Sequence, residues 1–216
     1  MNPFDRVLSI FTKPRVAAGV ISFLVLSFLF IDQPLATYLY SLRLGINYPF
    51  LNWITNVGLG GVYFVSLFSL ALFFRYIVKR ADWEARAWFL WLCVVVPSLV
   101  CFCLKMLLGR SRPKLLFNDD LYGFYFFKTH APFWSFPSGH STTIMGLVFG
   151  LSILFPRYGY RFMFLGAVVA ISRVLLTHHF LSDVLTASYL ALLEVGLLYC
   201  VLRQRAWLEP AYRHAV

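Results

Sequence analysis

Charge is scarce in this chain. Charged residues occupy 13% of 216 positions, and nine acids stand against nineteen lysines and arginines. With 60% of residues hydrophobic and a mean hydropathy of +0.74, an ordinary water-soluble domain is excluded. Cysteine is sparse as well. Cys93, Cys101, Cys103 and Cys200 all fall in apolar runs, and Cys101 and Cys103 point to different sides of a helix, which argues against a disulfide or a metal clip. No Gly/Ser linker, low-complexity block or repeat divides the sequence, so residues 1–216 are expected to form a single domain. No small-residue cleavage site follows the first apolar run after Ile31, which therefore reads as a retained anchor. Nor is there a long basic stripe or tail. The formal charge of +10 flanks apolar runs instead, a pattern that suits anionic lipid headgroups and not nucleic acid.

What the chain has in quantity is membrane-length apolar sequence. Uncharged stretches run from Val16 to Ile31, Leu44 to Phe74 and Ala87 to Leu104, with more after Ser141, Phe162 and Val184. A bilayer core takes roughly 17 to 25 apolar residues per helix. Spans are expected near 16–36, 57–77, 86–107, 139–156, 160–176 and 180–201, the fourth and fifth needing neighbours to support them. The fold class is thus all-α, a polytopic membrane protein with a six-helix bundle; four or five spans with a re-entrant segment is the alternative. Arg6, Lys13, Arg15, Arg75, Lys79, Arg80, Arg86, Arg157, Arg161, Arg203, Arg205 and Arg213 fall on one side of this arrangement. The positive-inside rule then places both termini in the cytoplasm. The longest non-spanning segment, 109–138, is rich in aromatics and broken by Pro113, Pro132 and Pro137. It is expected in the headgroup zone with Tyr122, Tyr125, Phe126 and Trp134 as anchors; 35–53 is a second such segment.

The remaining polar residues have chemistry in common. Lys105 ends a run of eighteen uncharged residues, and Arg112 follows seven positions later, close to two helical turns, so both cations can face one pocket. Arg110 is less well oriented and reads as an interfacial charge. Pro137-Ser138-Gly139-His140 precedes the next apolar run, where free amides of a new helix can receive an anion. Ser138 is a candidate N-cap and phosphate donor, Gly139 permits close backbone approach, and His140 sits in the first turn. Arg173 interrupts apolar sequence without an evident acid partner, and a phosphate would match its charge and geometry. His179 and Asp183, four apart, share a helix face, so the carboxylate can fix one imidazole N–H. His178 is turned about 100° away. Adjacent histidines do not converge on a metal, and the surroundings are cationic, so no metal or other cofactor is expected.

These residues assemble into a phosphoryl-transfer mechanism. Lys105, Arg112, Arg173 and the amides around Gly139 bind the nonbridging oxygens. His179 is expected to attack phosphorus, with Asp183 supporting the imidazolium. His140 is expected to protonate the leaving oxygen and then activate water against a phosphohistidine.

The three stretches, Lys105 through Arg112-Pro113, Pro137-Ser138-Gly139-His140, and Ser172-Arg173 with His179 and Asp183, resemble the motifs of the type 2 phosphatidic acid phosphatase superfamily, complete and in order. The resemblance implies a helical membrane bundle with its pocket at an outer face. It also implies phosphate binding by Lys105, Arg112, Ser138, Gly139 and Arg173, and catalysis by His140, His179 and Asp183. The expected activity is hydrolysis of a membrane lipid phosphate or diphosphate, with phosphatidylglycerophosphate, phosphatidate, undecaprenyl diphosphate and lipid A 1-phosphate as candidates. A lipid phosphotransferase using the same phosphohistidine is the alternative, and a nonenzymatic channel or transporter leaves the paired histidines without a purpose. Expected partners are the lipid substrate and the bilayer, with no obligate protein partner. The expected location is a bacterial inner membrane, with the site at its periplasmic face.

Overall fold

Apolar runs bounded by proline, glycine and charge become helices in the computed structural model, which describes residues 2–205, 207 and 208; Arg213 lies outside them. A short helix α1, Pro3–Phe11, is capped by Asn2, whose side chain accepts from the Phe4 amide at 3.0 Å. Then come α2, Pro14–Ser41, the short helix α3, Phe50–Asn56, and α4, Gly60–Val78. After these follow α5, Ala81–Leu108; α6, Pro113–Asp119; α7, Gly139–Leu154; α8, Pro156–Leu175; and α9, Leu181–Gln204. Among the described residues there is no strand, only an isolated bridge between Arg110 and Phe124.

Five helices, α2, α4, α5, α8 and α9, are long and apolar enough to cross a bilayer. The fourth expected span is α7, and its 16 residues fall short: at 1.5 Å per residue it rises about 24 Å, against a core of about 30 Å. It is nevertheless the centre of the bundle. All its residues except Gly139, His140 and Leu151 are buried, packed against α5, α8 and α9. A helix wrapped in protein has no need to match lipid thickness, because its ends are covered by neighbours. Boundaries elsewhere shift modestly. The first span continues past residue 36 to Ser41, the second begins at Gly60, and the fifth, led by the turn at Pro156, reaches a sufficient 20 residues.

Two prolines shape the spans. In α2, Pro34 has no N–H for the carbonyl of Phe30, and a π-helical turn, Ser27–Ile31, lies just upstream. In α5, Pro97 likewise leaves the Cys93 carbonyl without its helical donor. That carbonyl faces Gly146 of α7 so closely that a Cβ there would sit 2.3 Å from it, and one at Gly150 would lie 3.0 Å from the Cys93 sulfur. Two glycines four apart thus bring the α5 and α7 backbones together, the small-residue contact common in membrane helices. Cys93 and Cys101 are buried as apolar filler, while Cys103 and Cys200 lie exposed on the outer surface of the bundle; all four are free thiols. At the opposite end from Lys105, α1 closes the bundle. Phe4 meets Phe149 edge-on at 5.8 Å, and the Phe11 carbonyl accepts from the Tyr189 hydroxyl at 3.1 Å.

Gly146→Ala is expected to destabilise the protein by about 2 kcal/mol or more, since the backbone it would strike cannot turn aside. Gly61→Ala, with nothing within 4 Å of the added carbon, should be neutral to within about 1 kcal/mol. Thermal midpoints of the two variants in one detergent check the contrast.

Candidate functional site

The C-terminal ends of α5 and α8 and the N-terminal ends of α7 and α9 meet at one end of the bundle, and every residue singled out from the motifs lies there. Gly109 closes α5 in the left-handed region (φ 55°), its N–H returning to the Lys105 carbonyl at 3.0 Å. The chain then folds back on itself. Ser111 N–H donates to Gly123 O at 3.1 Å, and Tyr125 N–H to Gly109 O at 3.0 Å, so 109–111 and 123–125 run side by side. This return places Arg110 inside the bundle and Arg112 at the mouth of the site.

Three cations converge there. The Lys105 ammonium donates to the Trp134 carbonyl at 2.8 Å and to the Pro137 carbonyl, leaving one of its three N–H groups over. The buried Arg173 donates from Nη1 to the Thr55 hydroxyl at 2.9 Å. Arg112 and Arg173 both lie within electrostatic reach of Lys105, and both carry a buried Nε without a hydrogen-bond partner among the described residues. Buried guanidinium donors left unpaired are costly unless something else accepts from them. Ser138 stands at the N-cap position of α7, but its side chain caps nothing. Its own amide donates to the Asp183 carbonyl at 3.2 Å, and its Oγ accepts from Ser141 Oγ at 2.9 Å, so its hydroxyl hydrogen is free for an incoming acceptor. Thr142 N–H makes the first helical bond, to Ser138 O, so the amides of Gly139, His140 and Ser141 precede the helix ladder. Gly139 lies under the Lys105 stem, 3.7 Å from an added Cβ, and half-buried His140 is backed by Gly58. The arrangement is a cationic cradle on a helix N-terminus, suited to a tetrahedral oxyanion.

The histidine–aspartate pair differs from expectation in detail. His179 Nδ1 and Asp183 Oδ2 are 3.7 Å apart, beyond a hydrogen bond. Asp183 Oδ2 accepts instead from Ser135 Oγ at 2.6 Å and from the Phe180 amide at 2.9 Å, while Ser135 Oγ lies 3.5 Å from His179 Nδ1. Burial, reinforced by Lys105 and Arg173, outweighs Asp183 and pushes the His179 imidazole down to about 3, so the ring is neutral at neutral pH. His178 is exposed beside it.

Arg110 is not an interfacial charge. It is fully buried, donating from Nη1 to Asp183 Oδ1 at 2.6 Å and to Ser182 Oγ at 2.7 Å, and from Nη2 to Asp32 Oδ2 at 2.7 Å. Burial pulls the guanidinium down, but Asp183 and Asp32 more than offset that and hold it above its ordinary value. Tyr122 also turns inward instead of anchoring at the interface. It stacks on Phe28 at 5.1 Å and takes part in the Arg110 cluster through its hydroxyl, 3.1 Å from Nη2. Five side-chain partners carry no motif in the sequence: Asp32, Thr55, Ser135, Ser182 and inward-facing Tyr122. Of these, Asp32 carried a usable signal, being the sole acid between Asp5 and Asp82.

Compared with known proteins, residues 86–207 match the family model described as the PAP2 superfamily, an interval that contains Lys105 through Asp183. The chain is similar to a protein named Lipid A 1-phosphatase from Rhizobium etli, 34% identical over 140 residues, covering 59% of this chain and 60% of that one. A protein of the same name from Rhizobium johnstonii is 33% identical over 140 residues, covering 59% and 57%. The chain thus matches 57% to 60% of the length of these curated relatives. No solved structure matches it.

A tetrahedral oxyanion such as tungstate should bind the purified protein in detergent. Arg173→Gln should weaken that binding roughly ten- to a hundred-fold, the worth of a charged hydrogen bond of about 1.5–3 kcal/mol. Isothermal titration reads the change, and an unaltered affinity would mean the guanidinium does not face the anion.

Proposed function

The chain belongs to the PAP2 superfamily, and from that footing we propose that it is a membrane lipid phosphatase hydrolysing a lipid phosphate or diphosphate. The observation that carries this reading is the pair of unpartnered guanidinium Nε groups, on Arg112 and Arg173, beside the free amides of α7 and a neutral, buried His179. In this reading Lys105, Arg112, Arg173, Ser138 and the Gly139–Ser141 amides hold the phosphoryl oxygens and stabilise the charge of the transition state.

His179 Nε2, the nitrogen turned away from Asp183, attacks phosphorus. As the N–P bond forms, the bond from phosphorus to the leaving oxygen breaks, and His140, kept protonated by the bound phosphate dianion that offsets the surrounding cations, supplies that oxygen with a proton. Asp183 and Ser135 hold the Nδ1 side of the ring and favour its imidazolium character. A water molecule then attacks the phosphohistidine and gives its proton to His140. Cleavage of the N–P bond returns the His179 ring and yields inorganic phosphate. Depression of the His179 imidazole to about 3 supports the role, because an attacking nitrogen must enter with its lone pair free. The lipid body stays in the bilayer while the headgroup enters from the face.

Lipid A 1-phosphate is the first substrate to test, because both relatives reported above are named Lipid A 1-phosphatase. The site end belongs outside, at the periplasmic face of a bacterial inner membrane, since Arg75, Lys79, Arg80, Arg157, Arg161, Arg203 and Arg205 gather at the other end.

Purified protein should release inorganic phosphate from lipid A 1-phosphate without an added acceptor, and faster than from phosphatidate or undecaprenyl diphosphate in the same detergent. His179→Ala should lower kcat on the order of a thousand-fold or more while tungstate still binds. Rapid quench of the parent should trap acid-labile phosphate on His179. Turnover preserved in the alanine variant would remove His179 as nucleophile.

For orientation, cysteines placed singly at Asp119 and Lys79, both exposed, in a background lacking the native thiols, should differ in whole cells. The first should react with an impermeant thiol reagent and the second should not; the opposite labelling would invert the topology.

A further inference from the structure

We propose that Asp32 and Arg110 are positioning residues for the reaction: Asp32 on α2 shares the Arg110 guanidinium with Asp183, so that Asp183 is held in place yet keeps its negative charge for the His179 imidazolium. This rests on the functional reading above and assigns a role to two residues outside its phosphate-binding and proton-transfer groups.

Both terminal nitrogens of the guanidinium are paired, and only Arg110 Nε has no hydrogen-bond partner among the described residues. Asp32, Arg110 and Asp183 have exposures of 1%, 0% and 0%. Asp183 Oδ1 and Asp32 Oδ2 take opposite arms of the guanidinium at 2.6 and 2.7 Å. Ser182 ties Asp32 to the guanidinium. Its amide donates to Asp32 Oδ1 at 3.0 Å and its hydroxyl to Asp32 Oδ2, while its Oγ accepts from Arg110 Nη1. Four rings, of Phe28, Tyr122, Phe124 and Phe180, have their centroids 4.7 to 5.5 Å from the guanidinium carbon and keep water away. The distortion in α2 falls here as well. The π turn Ser27–Ile31 ends at Asp32, Ser27 Oγ donates to Asp32 Oδ1 at 3.2 Å, and the Phe28 carbonyl accepts from the Tyr122 hydroxyl.

Charge counting explains why two acids meet one base. Asp183 paired with Arg110 alone would form a neutral couple, with little left to attract an imidazolium. Asp32 restores the sum of the three groups to minus one. Around His179 the other charges include Lys105 from α5 and Arg173 from α8, with Arg112 also within reach of Asp183, all opposing a positive ring. The net negative charge of the triad is therefore what favours N–P bond formation, and Asp32 supplies it from the first spanning helix.

The test is a charge cycle. Asp32→Asn leaves the sum at zero, Arg110→Gln at minus two, and the double variant at minus one, as in the parent. Per folded enzyme, Asp32→Asn should lower kcat on lipid A 1-phosphate ten- to a hundred-fold with KM changed less than about three-fold. Adding Arg110→Gln should recover part of that loss. Orthovanadate, which bonds to the nucleophile without a lipid, should follow the same order in affinity. Its binding should weaken in the single Asp32→Asn variant and partly recover in the double. A merely structural clamp would lower thermal stability and folded yield, and the double variant would be as slow as the slower single or slower. That result, or an unchanged kcat in Asp32→Asn, overturns the proposal. A parent that binds vanadate but releases no phosphate from any lipid refutes the phosphatase reading, and the vanadate series still decides the role of Asp32.

Discussion

A guanidinium removed from water at the end of a membrane bundle must be compensated, and Arg110 is compensated by two carboxylates from distant parts of the chain. Deleting one partner of such a buried pair costs about 3–5 kcal/mol, because the ion left behind has no solvent to turn to. Much of the site end follows from this requirement. It draws α2, whose surface otherwise faces outward over most of its length, against α9. It requires the fold-back of 109–111 on 123–125, which carries Arg110 inward. It also occupies one oxygen of Asp183, leaving the other for Ser135, the Phe180 amide and the neighbourhood of His179.

The bundle was legible in the sequence because apolar length is a local property. The long hydrophobic runs became helices, with Leu44–Phe74 broken into shorter pieces before Gly60, and the motif residues, placed at helix ends by glycine, proline and serine, fell at one face. The central position of α7 was not legible. Its hydrophobicity resembles that of a lipid-facing helix, and only Gly146 and Gly150, read together with Pro97, mark it as the helix against which others close.

Within the site, the sequence favoured partners that are near in the chain. His179 and Asp183 share a helix face as expected, yet the carboxylate spends its hydrogen bonds on Ser135, 48 residues away, and Arg110, 73 away. Helical spacing cannot announce such pairings. Thr55 beneath Arg173 is 118 residues distant and has no motif around it. Arg110 reads as an interfacial charge in the sequence because nothing near it in the chain shows that the backbone reverses after Gly109 and turns the following side chain inward. Asp32 was closest to being readable: an acid at the end of an apolar run, with no cation within a helical turn, implies a remote base.

Lys105 spends two of its N–H groups on the carbonyls of Trp134 and Pro137, and that has a meaning for timing. A lysine stem has many rotamers, and freezing them is entropically expensive. Here they are frozen as the chain folds, by the same loop that delivers Ser138 and Gly139. An arriving anion meets a charge that is already stationary, so the ordering belongs to the birth of the protein and is not repeated at each encounter.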